Sequence, residues 1–196
     1  MHTCGVILAG GKSSRMGTNK SLLTIHDNKP VIQHIFEEIK LISDDTVVVT
    51  NHPDQYDFLQ ATMIGDRYFD KGPLAGLETS MYHMKAEYYI IAACDMPFID
   101  KQIYTYLRDQ LQRYDTYDAV IPVFNDQQHP LAGIYKREVL LSIQNQLYLN
   151  NLRVKSFFND INVLYVNDFS MFSRATIEKH FFNMNNPTEF EQAKRL

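Results

Sequence analysis

Three cations and three glycines crowd one short stretch near the start of the chain, Leu8-Ala9-Gly10-Gly11-Lys12-Ser13-Ser14-Arg15-Met16-Gly17-Thr18-Asn19-Lys20. Glycines let a backbone come close to a ligand, and backbone N–H groups ringed by Lys12, Arg15 and Lys20 suit a polyphosphate. Residues 1–20 hold no acid and carry +3, whereas the other 176 residues, with 16 basic and 23 acidic side chains, carry −7. The spacing matches neither the P-loop nor the dinucleotide-binding glycine pattern. A plain Gly-Gly connector with solvated cations is the alternative, and it leaves the local charge unexplained. Four of the eight glycines, Gly5, Gly10, Gly11 and Gly17, fall in the first 20 residues and none follows Gly133, which concentrates backbone freedom at one loop.

Carboxylates and amides follow at other points where a strand is expected to end. Asp95 comes just after the apolar run Tyr88–Ala93, and Pro97 pushes Met96 toward an extended conformation, which would hold the carboxylate in place. A hard oxygen ligand beside a phosphate loop is what Mg²⁺ takes, since that ion is held by one or two carboxylates plus phosphate oxygens and water. The alternative for Asp95 is a turn cap. Asp66 lies between Ile64-Gly65 and the turn Gly72-Pro73, either facing the same cleft or serving as a turn residue. Gly72-Pro73-Leu74-Ala75-Gly76 gives a small-residue start to a helix, open either to a purine ring or to simple turn chemistry. His129 sits in a polar loop where exposure is the expectation, and no catalytic role is given to it.

The elements that must position these groups alternate along the chain. Short apolar β-rich runs at Cys4–Ala9, Thr46–Thr50, Thr62–Ile64, Tyr88–Ala93 and Ala119–Val123 are separated by segments of helical period. Val31, Ile32, Ile35, Phe36 and Ile39 line one helix face after Pro30, Asp54–Ala61 reads as a short helix, and Leu74–Lys85 as a longer one. Asp100 reads as the N-cap of a helix carrying Ile103, Leu107 and Leu111. The last third is less regular, with strands near Ala132–Tyr135 and Val163–Val166, a helix near Glu138–Leu147 and a terminal helix after Asn186-Pro187. This pattern predicts an α/β fold, a three-layer Rossmann-like nucleotide-binding domain with a mainly parallel central sheet, spanning residues 1–196 as one unit.

Composition sets the outer limits. With 196 residues, 45% of them hydrophobic and 21% charged, the chain can bury a sizeable core. A net charge of −4 argues against a general nucleic-acid binder. No apolar run approaches the roughly 18–20 residues of a membrane span, and Gly5–Ala9 lacks the flanks of a signal peptide, so a cytoplasmic protein is expected. Two cysteines, Cys4 and Cys94, both in apolar runs, exclude a disulfide framework and a cysteine-rich metal site.

Leu8-Ala9-Gly10-Gly11, Ser14-Arg15-Met16-Gly17 and Lys20 resemble the signature loop of nucleotidyltransferases, which join an NTP-derived nucleotide to a phosphorylated acceptor. Gly72–Leu77, Cys94-Asp95-Met96-Pro97-Phe98 and His129-Pro130-Leu131 follow in the order and spacing of the molybdenum cofactor guanylyltransferases, the MobA type, so the resemblance covers most of the chain. It implies an Mg²⁺-dependent enzyme that transfers GMP from GTP to the phosphate of a molybdopterin cofactor and releases pyrophosphate. In that picture Leu8, Ala9, Gly10 and Gly11 hold the nucleotide, Asn51 in preference to Thr50 lies near base or ribose, and Asp66 contacts GTP. Arg15 and Lys20 neutralise the triphosphate, while Asp95 contacts both nucleotide and metal, making Arg15, Lys20 and Asp95 the catalytic set. The partners implied are GTP, the molybdopterin acceptor and, transiently, other molybdenum-cofactor enzymes, with no nucleic acid and no membrane.

The C-terminal element Asn183-Met184-Asn185-Asn186-Pro187-Thr188-Glu189 departs from the family's N-x-N-T-P-E pattern, with Asn186 in place of threonine and the acid one residue late. Asn186, Pro187 and Glu189 are explained by a capping box, which leaves Asn183 and Asn185 as acceptor-site candidates. The 24 Tyr and Phe residues fit core and helix faces better than a base-stacking platform. Two other readings stay open: a cytidylyltransferase or sugar-nucleotide transferase on the same loop, toward which Gly10-Gly11 leans less than an Ala-Gly pair would, and a non-catalytic nucleotide-binding protein.

Overall fold

The computed structural model describes residues 2–10 and 19–196. Eight strands occur among them: β1 (Thr3–Leu8), β2 (Asp45–Val49), β3 (Thr62–Ile64), β4 (Tyr88–Ala93), β5 (Ala119–Phe124), β6 (Gln127–Gln128), β7 (Ile134–Lys136) and β8 (Val163–Val166). They form a sheet in the order β3-β2-β1-β4-β7-β5-β6, with β8 also paired to β5. The ladders β1–β2, β1–β4, β2–β3 and β5–β8 are parallel. β1 is buried along its whole length and β4 along all but its first residue, which is why both read as continuous apolar runs.

Among the described residues six helices cover the two faces: α1 (Val31–Lys40), α2 (Pro73–His83), α3 (Lys101–Arg113), α4 (Leu140–Tyr148), α5 (Arg174–His180) and α6 (Pro187–Ala193). One core joins Ile7, Val48, Ile90 and Ala92 to Ile35 and Ile39 of α1, to Ile103 and Leu107 of α3, and to Ile177 and Phe181 near the C-terminus. The other joins Val6, Val47, Tyr89 and Ile91 to Leu74 and Leu77 of α2 and to Ile143 and Leu147 of α4. Neighbouring residues of each central strand thus feed opposite cores, giving three layers. Asp100 Oδ1 accepts from the N–H of Gln102 at 2.7 Å, the expected cap of α3. No described helix is long and apolar enough to cross a membrane.

The structure corrects the expectations at several points. The segment Asp54–Ala61 is not a helix but a single 3-10 turn, Pro53–Tyr56, after which Gln60 takes a left-handed φ of 28°. β7 runs antiparallel between β4 and β5, because the link from Phe124 to Ile134 is too short for a crossover helix. α5, capped by Ser173, has no counterpart in the sequence pattern. Its last residue, His180, is fully buried, and its Nδ1 accepts from the N–H of Asp100 at 2.9 Å. Burial, with a smaller contribution from nearby His129, pushes the His180 imidazole down to about 3, so the ring stays neutral and fastens the C-terminal region to the start of α3.

Gly5 does not belong to the flexible loop. A Cβ there would lie 2.2 Å from Ile39 Cγ2 and 2.9 Å from Ser43 Oγ, so the missing side chain is what lets α1 settle on β1. A second anchor sits on the opposite face. Glu78 of α2 is wholly buried, and its Oε1 accepts from Arg67 Nη1 at 2.5 Å and from Gln144 Nε2 of α4 at 2.8 Å. The Arg67 guanidinium lies 3.3 Å from the centre of the Tyr82 ring, and the Arg67 backbone N–H donates to Thr79 Oγ1 at 2.9 Å. The link between β3 and α2, which carries Asp66, is thereby bound to the helix layer.

Both anchors give stability predictions. Gly5→Ala overpacks the β1–α1 contact and is expected to cost about 2 kcal/mol, read as a lower urea midpoint at unchanged slope. Arg67→Ala strands a buried carboxylate and is expected to cost about 3 kcal/mol, whereas Glu78→Gln costs less because the arginine can turn to water. The order of the two midpoints checks this: an Arg67→Ala variant at least as stable as Glu78→Gln contradicts it.

Candidate functional site

The chain leaves β1 toward β2 and β3 on one side and returns to β4 on the other. Loops that diverge in this way open a crevice at the C-terminal ends of the strands, where open α/β sheets bind ligands. Leu8 pairs with Val49 on one flank and with Ala93 on the other. Ala9-Gly10, Thr50-Asn51 and Cys94-Asp95 therefore emerge side by side, and two strand spacings put the Asn51 and Asp95 segments about 10 Å apart across Ala9-Gly10. The ladder runs slightly further, since the Ala9 N–H donates to Val49 O at 3.0 Å. Among the described residues, a Cβ on Gly10 would meet nothing within 4 Å. Gly11 and Arg15, with Lys12, Ser14, Met16 and Gly17, lie outside the described residues.

Lys20 and Asp95 are brought together. Lys20 opens a 3-10 turn, Lys20–Leu22, capped by Asn19, whose Oδ1 accepts from the Ser21 N–H at 3.2 Å and from Ser21 Oγ at 2.7 Å. Lys20 Nζ lies 3.9 Å from Asp95 Oδ2 and donates to Asn185 Oδ1 at 3.4 Å. The side chains of Lys20 and Asp95 are 24% and 28% exposed, so the pair is reachable and the loose contact adds little stability. Asp95 is fixed through its backbone, whose carbonyl accepts from the Met184 N–H at 2.7 Å, while the next residue's N–H closes a turn onto Ala93 O at 3.1 Å. Cys94 beside it is a packing residue, its thiol pushed up to about 12 by burial first and by the Asp95 charge second.

Asn51 and Asp66 form a second unit. Asn51 Nδ2 donates to Asp66 Oδ2 at 3.1 Å, and the Asp66 N–H donates back to Asn51 Oδ1 at 2.9 Å. Burial holds the Asp66 carboxyl above the usual range, and the Asn51 bond partly offsets this. Gly76 places the unit in the fold: a Cβ there would lie 2.9 Å from Leu8 Cδ2, 3.6 Å from Val49 Cγ1 and 3.8 Å from Asp66 Oδ1. The small residue is thus taken up by helix-on-strand packing beside Leu8, with no room left there for a purine ring. Gly72, at φ 70° and in open space, is the residue that the turn into α2 requires.

The C-terminal region supplies the other wall. Asn186 caps α6 by accepting from the Glu189 N–H at 3.0 Å, as expected. The Glu189 carboxylate departs from the capping box by accepting from the N–H of Asn185, one residue earlier, at 2.5 Å. Glu189 therefore holds the asparagine that binds Lys20. His129 is buried rather than exposed, its ring 4.7 Å from that of Phe181, which stacks on Phe124 at 5.2 Å. Burial lowers the His129 imidazole below its ordinary value. Phe124, His129, Phe181, Asn183 and Gln192 line a cleft of about 610 Å³. Sequence reasoning missed Glu189 as a support, the aromatic lining and Asn19. The aromatic residues were countable, but nothing in their spacing showed that three elements bring them to one place.

Residues 5–162 match the MobA-like NTP transferase domain. The chain is 31% identical over 190 residues to a probable molybdenum cofactor guanylyltransferase of Carboxydothermus hydrogenoformans, covering 97% of this chain and 94% of that protein. It is 32% identical over 194 residues to the protein of the same description from Halalkalibacterium halodurans, covering 96% of each. The fold is also that of molybdopterin-guanine dinucleotide biosynthesis protein A from Archaeoglobus fulgidus, with a TM-score of 0.83, 23% identity and coverage of 98% and 97%. CMP:2-keto-3-deoxy-manno-octonic acid synthetase complexed with CTP shares it at a TM-score of 0.76 and 17% identity, covering 100% of this chain and 98% of that one. The crevice at the exits of β1 and β4 is thus set in a shared nucleotidyltransferase fold, and the chain belongs to the MobA-like NTP transferase family.

Proposed function

We propose that the protein is a cytosolic guanylyltransferase that uses GTP and Mg²⁺ to transfer GMP to the terminal phosphate of a molybdopterin cofactor, releasing pyrophosphate. The observation that carries this reading is the Lys20–Asp95 pair, a cation and a carboxylate 3.9 Å apart and reachable at the crevice between β1 and β4. The choice of guanine and of the acceptor is supported by the curated relatives, named as probable molybdenum cofactor guanylyltransferases.

The residues suit magnesium arriving with the nucleotide. Among the described residues no group of three or more His, Cys, Asp or Glu could form a protein cage for a metal. Mg²⁺ instead takes one or two carboxylates and completes its shell with phosphate oxygens and water, which is what Asp95 at a strand exit offers. Bound there, the ion would neutralise part of the triphosphate charge.

Lys20 would bind phosphate oxygens in place of its loose contact with Asp95, and Gly10 would leave room for the triphosphate to approach the backbone. The acceptor's phosphate oxygen attacks the α-phosphorus. A new P–O bond forms, the bond from the α-phosphorus to the bridging oxygen breaks, and pyrophosphate leaves with the electron pair. No protein nucleophile is needed, and the chain's work is positioning and charge stabilisation. Asn183, which lines the aromatic cleft, and Asn185, which binds Lys20, are the groups proposed to face the pterin. The Asn51–Asp66 unit, on the far side of Leu8, is proposed to read the ribose or base.

Pyrophosphate release from GTP, Mg²⁺ and molybdopterin acceptor tests the assignment. Asp95→Ala and Lys20→Met are each expected to lower kcat by about 10²- to 10³-fold, the size of losing one preorganised stabilising group. Near wild-type turnover by Asp95→Ala in Mg²⁺ would remove the metal assignment, and turnover with CTP in preference to GTP would make the protein a cytidylyltransferase.

A further inference from the structure

Tyr56 ends the 3-10 turn Pro53–Tyr56 and is 1% exposed. Its hydroxyl nevertheless meets both sides of the cationic segment. It lies 3.3 Å from the Ala9 carbonyl oxygen after β1, 2.9 Å from Asn19 Nδ2 and 2.9 Å from Ser21 Oγ. The hydrogens can be assigned. Ser21 Oγ gives its only hydrogen to Asn19 Oδ1 at 2.7 Å, so the single Tyr56 hydroxyl hydrogen is shared between Ser21 Oγ and Ala9 O, and the Tyr56 oxygen accepts from Asn19 Nδ2. The second Asn19 amide hydrogen goes to Gln55 Oε1 at 2.8 Å.

Asn19 is also the cap of the turn that Lys20 begins, and Lys20 reaches from that turn to Asn185 and Asp95. We propose that Tyr56 is a positioning residue: its hydroxyl clasps Ala9 to Asn19 and so sets where the Lys20 ammonium stands in the β1–β4 crevice. The functional consequence rests on the nucleotide reading above, but the clasp itself does not. A phenylalanine would fill the same buried space while giving up all three polar contacts, which makes Tyr56→Phe the informative change.

Two arms separate the clasp from its use. In the first, nucleotide-free wild type and Tyr56→Phe, each confirmed folded by circular dichroism, are treated with an amine-acetylating reagent, and labelling of Lys20 is compared by mass spectrometry with that of exposed Lys85. Release of Lys20 from its fixed place is expected to raise its relative labelling several-fold in the variant. In the second, calorimetry with Mg²⁺-GTP compares wild type, Tyr56→Phe, Lys20→Met and the double variant. Tyr56→Phe is expected to weaken binding about tenfold in the wild-type background, the scale of one well-placed hydrogen bond, and to cost almost nothing once Lys20 is gone. Unchanged Lys20 labelling, or equal binding losses in both backgrounds, overturns the clasp. Raised labelling in a protein that does not bind GTP leaves the clasp standing and removes the nucleotide reading.

Discussion

Leu8 is bonded into two parallel ladders, against Val49 on one side and Ala93 on the other, and that register decides where every polar group of the crevice emerges. A shift of one residue would turn the exits to the opposite face and carry Asp95 away from Lys20. The register is protected by burial on both faces of β1 and β4 and by the close seat of α1 on Gly5. The same feature, a chain that leaves β1 in one direction and returns on its other flank, both opens the crevice and supplies its walls.

The charges of the site sit at intermediate burial, and the groups beneath them are electrically quiet. Lys20 and Asp95 keep enough exposure to meet a charged ligand, and Asp66 is half-way inside, where its carboxyl already feels burial. Below, the thiol of Cys94 and the phenol of Tyr104 are held neutral by burial, and the His180 ring is held neutral as well. The supports act through the backbone: Met184 on the Asp95 carbonyl, Glu189 on the Asn185 amide, and Asn19 at the start of the Lys20 turn. Such bonds fix direction without spending the charge that the ligand is to meet.

Much of this was legible in residue order. The continuous apolar run Tyr88–Ala93 marked a central strand, so Asp95 had to lie at its exit, and Gly10 and Lys20 followed from the glycine and charge pattern after β1. Asn51 and Asp66 were each placed correctly at strand exits, but their mutual hydrogen bonds were not visible, because 15 residues separate them. What stayed hidden depends on tertiary packing. The Gly5 and Gly76 side-chain gaps match the bulk of other elements, His129 is buried only because Phe181 returns from the C-terminus, and α5 is too short to show a period. Nothing in the sequence singled out Tyr56, and its position became apparent only with Ala9 and Asn19 beside it.

The central claim is a guanine-nucleotide site at the exits of β1 and β4, and thermal unfolding in the presence of GTP, CTP, ATP and UTP, each with and without Mg²⁺, tests it most directly. A ligand that binds only the folded chain stabilises it by mass action, by about 2.7 kcal/mol at a hundredfold excess over Kd, and so raises its melting temperature. Stabilisation by GTP above the other three, increased by Mg²⁺, is the expected result. Equal shifts with all four nucleotides, a preference for another base, or no shift with any of them would contradict it.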